Sequence, residues 1–176
     1  MMIFEGKAAE KNGLKQVAEF ICIAARTAPK GRGTDNLVTA VISGDSMEKL
    51  QQEMRRIAME EGADFFSRDA DNLETAPYLV LLGTKINPVG MKTCGYCGYK
   101  NCEENKKNKG ICAFNTGDLG IAIGSAVSKA ADFRVDNRVL FTAGKAAVNL
   151  GYLGDNVRIA YGIPLSSTSK NVFFDR

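Results

Sequence analysis

Four cysteines, Cys94, Cys97, Cys102 and Cys112, fall within nineteen residues, and the other 157 residues of this 176-residue chain hold only one more, Cys22. The spacing is C-x2-C-x4-C-x9-C. A two-residue gap lets one tight turn aim the sulfurs of Cys94 and Cys97 at one ion. Gly95 and Gly98 relax the steric limits on such a turn and free backbone N–H groups to bond sulfur, and Gly110 can do the same beside Cys112. Histidine and tryptophan are absent. Imidazole ligands, Ser-His-Asp triads and Cys-His pairs are therefore excluded, and a metal here must be held by sulfur, oxygen or backbone groups.

Three chemistries suit such a cluster. Structural zinc usually joins two C-x2-C knuckles across a longer spacer, whereas here the second pair is spread out. A cubane iron–sulfur cluster needs four thiolates around a larger object and accepts uneven spacing. The third option is unligated or redox-active thiols. The order matches neither the plant-type nor the bacterial ferredoxin pattern, and Ala113 stands where the latter has proline. The nearby Lys92, Lys100, Lys106, Lys107 and Lys109 read as a solvated loop, partly offset by Glu103 and Glu104, or as the rim that receives an acidic redox partner. Cys22 falls on the apolar side of a helix and reads as a small core residue.

The chain around this segment is of ordinary globular composition, 45% apolar and 24% charged, and its length fits one domain, 1–176, with a cysteine-rich insert at 90–115. The net charge of +3, from 23 basic and 20 acidic residues, gives no reason to expect a nucleic-acid partner. No apolar run is long enough for a bilayer, and the first residues lack the pattern of a secretory signal. A cytoplasmic location is expected, where clustered cysteines more often hold a metal than form disulfides.

Apolar periodicity predicts helices over 13–29, 45–62, 118–132 and 138–151. Strands are expected over 37–43, 78–83 and 156–162, with 78–83 apolar enough to be buried on both faces. Residues 65–77 read as irregular and the tail after 162 as extended. Asp118 is the expected cap of the third helix, and Gly120 and Gly124 within it are expected at a close helix contact. Asp132, Arg134, Asp136 and Arg138 are expected in turn-capping and ion-pair contacts. Three strands with at least four helices give an α+β layered domain, a central sheet flanked by helices.

Two resemblances refine this reading. "CGYCGYKNC" resembles the opening of the small four-iron four-sulfur domain of corrinoid and carbon-monoxide-pathway proteins. "AARTAPKGRGTDNLVTAVI", "DNLETAPYLVLLG" and "GKAAVNLGYLGDNVRIAYGIPL" resemble successive motifs of the nitroreductase flavoproteins. Together they make the chain similar to an uncharacterised family of ferredoxin-domain-containing proteins. The resemblance implies a nitroreductase-like fold, an intertwined homodimer, a 4Fe-4S cluster on the four cysteines (zinc is the alternative) and FMN at the dimer interface. Arg26, Lys30 and Arg32, beside two glycines, are candidates for the flavin phosphate. Lys170 is another, because the family's C-terminal basic residue reaches that phosphate. Where the flavoproteins begin with an arginine-rich "R-R-S-x-R", this chain has "GKAAEKNG", with Lys7 and Lys11. The implied function is electron transfer, flavin-linked or through an external carrier. The alternatives are a zinc-braced binding scaffold and an FMN-dependent reductase whose cysteines only brace the fold. No side chain stands out as a general acid or base.

Overall fold

A computed structural model describes Ile3 and residues 5–174 of the chain. Its elements are α1 (Gly6–Thr27), a 3-10 turn (Gly31–Gly33), β1 (Leu37–Ile42), α2 (Asp45–Glu61), α3 (Asp64–Leu73), β2 (Tyr78–Lys85), α4 (Cys102–Lys107), α5 (Ala113–Asp132), β3 (Asp136–Asn137), α6 (Phe141–Asn149) and β4 (Val157–Ser166). The strands form one antiparallel sheet in the order β1-β2-β4-β3.

Successive residues of a strand face opposite sides, and β2 uses both sides for core. Leu79 and Leu81 join Leu50, Met54, Ile57, Phe66, Leu73 and the alanines of α6 on one side. Val80 and Leu82 join Leu14, Val17, Ile21, Leu119, Ala126 and Ile163 on the other. The sheet is thus covered twice, by α2, α3 and α6 on one face and by α1 and α5 on the other, which is why 78–83 reads as an unbroken apolar run. Burying a side chain such as Ile21 or Leu81 is worth about 1.5–3 kcal/mol against leaving it exposed.

Close approach sets the position of α6. A methyl group at Gly144 would overlap the carbonyl of Ala160, so this helix lies directly on β4. Gly162 answers from the strand, where an added carbon would stand 2.8 Å from Cβ of Ala143.

Several expectations are corrected. Residues 64–73 are helical, not irregular. Phe66, Asp69, Ala70 and Leu73 form the buried stripe, and Asp69 masked it because a carboxylate does not register as core. Asp69 is tolerated there because Thr142 Oγ1 donates to it at 2.9 Å and Arg68 Nη2 pairs with it at 2.7 Å. Helix α1 starts seven residues before 13, through an exposed polar turn without apolar periodicity. Strand β4 continues past 162 to Ser166, because Ile163 and Leu165 are fully buried under α1 and α5. Helix α5 opens at Ala113, and Asp118 does not cap it. Its carboxylate instead accepts the Gly31 N–H at 2.9 Å, tying α5 to the 3-10 turn. Gly120 and Gly124 face outward, and a carbon added at either would meet nothing beyond its own helix among the described residues, so neither glycine is required by packing there. Of the 132–138 link, Asp132 pairs with Lys129 at 3.0 Å, Asp136 accepts from Asn171 and Arg138 donates to the Phe173 carbonyl.

Candidate functional site

The insert leaves the sheet at the end of β2 and returns as α5. Its first part, from 86 to 101, has no regular structure, so its backbone polar groups must find other partners. Asn87 N donates to Oδ1 of Asn115 at 2.8 Å, Asn87 Nδ2 reaches Asn36 Oδ1 at 3.3 Å, and Arg32 Nη1 holds the Val89 carbonyl at 3.0 Å. Met91 N then donates to Sγ of Cys102 at 3.3 Å.

Helix α4 is short but capped at both ends. Asn101 accepts the Glu104 N–H at 3.0 Å, and the Glu104 carboxylate reaches back to Lys100 N at 2.7 Å, a reciprocal N-terminal cap. At the other end Lys109 takes φ +52°, where glycine is usual, and Gly110 N bonds to the Asn105 carbonyl at 2.9 Å. The fully buried Asn105 holds the Ile111 carbonyl through Nδ2 at 3.1 Å and so steers the chain into Cys112.

The sulfurs fall into two pairs. Cys102 opens α4 and Cys112 precedes α5, and both are buried. Cys94 precedes and Cys97 lies within a turn closed by Gly98 N to Gly95 O at 3.0 Å, and both are half-buried. All four are free thiols. Among the described residues, no three Cys, Asp or Glu side chains stand together as a ready-made ion shell. The donor chemistry nonetheless fits a sulfur-ligated metal: four thiols on one segment, two leading into helices, and one already receiving an N–H. The N–H aimed at sulfur is not from a glycine, as expected, but from Met91. Gly98 and Gly110 spend theirs on carbonyls. Cys22 is apart, beside Thr39, and burial pushes its thiol up. The five lysines of the insert are exposed.

The flavin candidates are already engaged. Lys30 Nζ donates to the carbonyls of Ala25, Arg26 and Ala28 at 3.1, 2.6 and 2.7 Å, neutralising the negative end of α1. Arg26 Nη1 holds Asp35 and the Leu37 carbonyl, both at 2.7 Å. Partial burial raises the Asp35 carboxyl, but the Arg26 hydrogen bond, the Leu37 N–H and the charges of Arg26 and Lys30 outweigh it and hold it below the usual range. Arg32 is committed to the insert. Lys170 lies in the tail after β4, where its carbonyl accepts from Thr168 Oγ1 at 2.6 Å.

These four are not one cluster. A groove of about 310 Å3 beside the start of α1 is lined by Lys7, Lys11 and residues Ser166 to Thr168, close in sequence to Lys170, with Glu10 and Glu74 also on its wall. Arg26, Lys30 and Arg32 lie at the other end of α1, whose 22 residues rise about 1.5 Å each. There a second groove, of about 410 Å3, is almost wholly apolar and runs between Pro29, Gly31, Tyr96, Phe114, Gly117 and Ile121. Tyr96, between the first two cysteines, stacks on Phe114 with ring centres 6.1 Å apart.

Comparison with known proteins places this geometry. A model of uncharacterised proteins containing a ferredoxin domain matches residues 108–176. An uncharacterised protein of Archaeoglobus fulgidus is 36% identical over 99% of this chain and 98% of its own length. The chain belongs to this family of ferredoxin-domain proteins. Solved structures show the fold of its frame. Nitroreductase CinD from Lactococcus lactis, solved with nicotinic acid, aligns with a TM-score of 0.63 at 13% identity, covering 89% of this chain and 79% of that one. The FMN-dependent nitroreductase NfnB from Mycobacterium smegmatis, solved with NADPH, gives 0.58 at 15%, covering 88% and 78%. A BluB-like flavoprotein from Clostridium difficile gives 0.57 at 21%, covering 88% and 84%. The nitroreductase-like α+β fold expected from the motifs is therefore present. Among the described residues no helix is long and apolar enough to cross a membrane.

The asparagines were missed by sequence reasoning. Asn36, Asn87, Asn105 and Asn115 organise the insert, yet nothing in their spacing marks them. Their role depends on which chain segments meet.

Proposed function

We propose that this protein carries electrons, with a 4Fe-4S cluster held by Cys94, Cys97, Cys102 and Cys112 on a nitroreductase-like frame. The observation that carries the reading is the all-sulfur donor set on one insert, with two buried thiols at helix starts and a backbone N–H on one of them. Such a cluster supplies one-electron transfer when bound. The chain's own contribution is ligation, burial of Cys102 and Cys112, and the Met91 hydrogen bond, each of which tunes potential. No residue is assigned to proton transfer.

FMN is the second cofactor of this reading. Lys7, Lys11 and the Ser166–Thr168 turn would receive its phosphate, with Lys170 in the adjoining tail. The apolar groove at Tyr96 and Phe114 would receive its ring, next to the cysteines. The two grooves lie at opposite ends of α1, so in this reading the phosphate and the ring of one flavin are received by different copies of the chain. That reading calls for a homodimer, and the outward-facing Gly120 and Gly124 on α5 leave room for a second copy beside the ring groove.

The test is purification of the full chain without air, followed by iron, sulfide, zinc and flavin counting, with mass measured by light scattering. Four irons per chain and a brown colour are expected. Stoichiometric zinc without iron rejects the electron-carrier reading, and a monomer that retains FMN rejects the shared flavin site.

A further inference from the structure

The segment between β2 and the first cysteine is tied down more firmly than its lack of regular structure suggests. It is held at its root, where Lys85 N donates to the Asn36 carbonyl at 2.9 Å. Two residues on, Asn87 is fastened on both sides, by N–H to Asn115 and by side chain to Asn36. Arg32 holds the Val89 carbonyl, and Gly90, at φ +78°, turns the chain toward the cysteines. The next residue delivers its N–H to the sulfur of Cys102.

Asn115 and Asn36 are the costly members of this clasp, each with a buried side-chain nitrogen that meets no partner among the described residues. Asn115 is fully buried, and its Oδ1 takes the Asn87 N–H. A buried amide left unpaired is unfavourable, so the clasp is kept at a cost in stability. Asn115 also sits one helical turn after Cys112, so it joins the helix that follows the last cysteine to the strap that touches the third.

We propose that residues 86–91 form a strap whose purpose is to hold the Met91 N–H on the Cys102 sulfur, with Asn115 and Arg32 as its positioning residues. This rests on the cluster reading above. It gives Arg32 a task within the chain rather than on a flavin phosphate. A hydrogen bond to a ligand sulfur favours the more negative, reduced cluster, so losing it lowers the reduction potential and loosens the metal.

The experiment uses the full chain prepared without air. Asn115→Leu removes the acceptor without changing charge. Arg32→Asn tolerates the left-handed backbone at this position, φ +55°, but is too short to reach Val89. The readouts are iron release to a ferrous chelator and midpoint potential from an EPR-monitored titration. Asn115→Leu and Arg32→Asn should release iron about 10-fold faster, the lower end of the effect of outer-shell changes. Asn115→Leu should also lower the potential. Should Asn115→Leu fail to fold, the exposed Arg32 decides by iron release. A loaded parent protein whose folded variants keep both its release rate and its potential overturns the strap and leaves the cluster reading intact. A parent without iron overturns both.

Discussion

Gly110→Ala sets two effects of opposite sign against each other within the insert. Gly110 does not occupy the left-handed region, so alanine suits its backbone, and restricting the unfolded chain would stabilise by about 0.4–1 kcal/mol. Against this, the added carbon would overlap the Tyr99 ring and stand 2.9 Å from Nδ2 of Asn105. The tyrosine can give way, but Asn105 is fully buried and holds the Ile111 carbonyl. Overpacking of this kind costs about 1–3 kcal/mol. The clash should win, for a net loss of roughly 1–2 kcal/mol. Loss confined to the insert can escape a global melt, so the assay is native-state hydrogen exchange at the amides of residues 105–112. Protection there should fall by about 5–30-fold, which is the same free energy expressed as an equilibrium constant. Gly13→Ala is the control: it lies in exposed helix with no neighbour within 4 Å and should stabilise by about 0.8–1 kcal/mol. Unchanged or increased protection in Gly110→Ala would refute the packing argument.

Other outcomes follow from the same structure. Gly144→Ala should destabilise by about 3 kcal/mol despite better helix propensity, because the obstruction is the Ala160 backbone; a melting temperature at or above the parent's would contradict this. Glu53 is held below the usual carboxylate range, first by the Arg56 hydrogen bond and then by Asn149 of α6. A depressed folded pKa gives stability that is present above the unfolded value, about 4.3, and is lost as pH falls through the folded value. Glu53→Gln should therefore lower stability near neutrality by under about 1 kcal/mol, because the guanidinium it pairs with is solvent-exposed, and flatten the acid limb of a denaturation-midpoint profile. In metal-free protein Cys94 and Cys97 should react with iodoacetamide before Cys22, whose thiol burial pushes up; peptide mapping showing Cys22 labelled first would contradict that assignment.

Legibility in the sequence followed the strength of local patterns. The stripe Met47, Leu50, Met54, Ile57 is spaced for one helix face and forms one. The run Leu79–Leu82 has no alternation because both faces of β2 are buried. Helix 64–73 escaped notice because its stripe contains Asp69, whose charge is satisfied by residues distant in sequence or off the stripe. The glycines of α5 were expected at a contact and proved outward-facing, since spacing alone does not say which helix face meets the rest of the chain.

By itself the sequence determined the chemistry available: five thiols, no imidazole, a C-x2-C-x4-C-x9-C segment and a succession of amphipathic helices and apolar strands. Those are properties of residue type and short-range order, which folding does not alter. Tertiary structure decided how those groups are spent. It committed Lys30 to the end of α1 and Arg32 to the Val89 carbonyl, placed Lys7 and Lys11 beside the end of β4, and brought the Met91 N–H to Cys102. Each of those outcomes joins atoms whose meeting depends on how the helices and strands pack, and a hydrogen bond or ion pair exists only once its two partners are within reach.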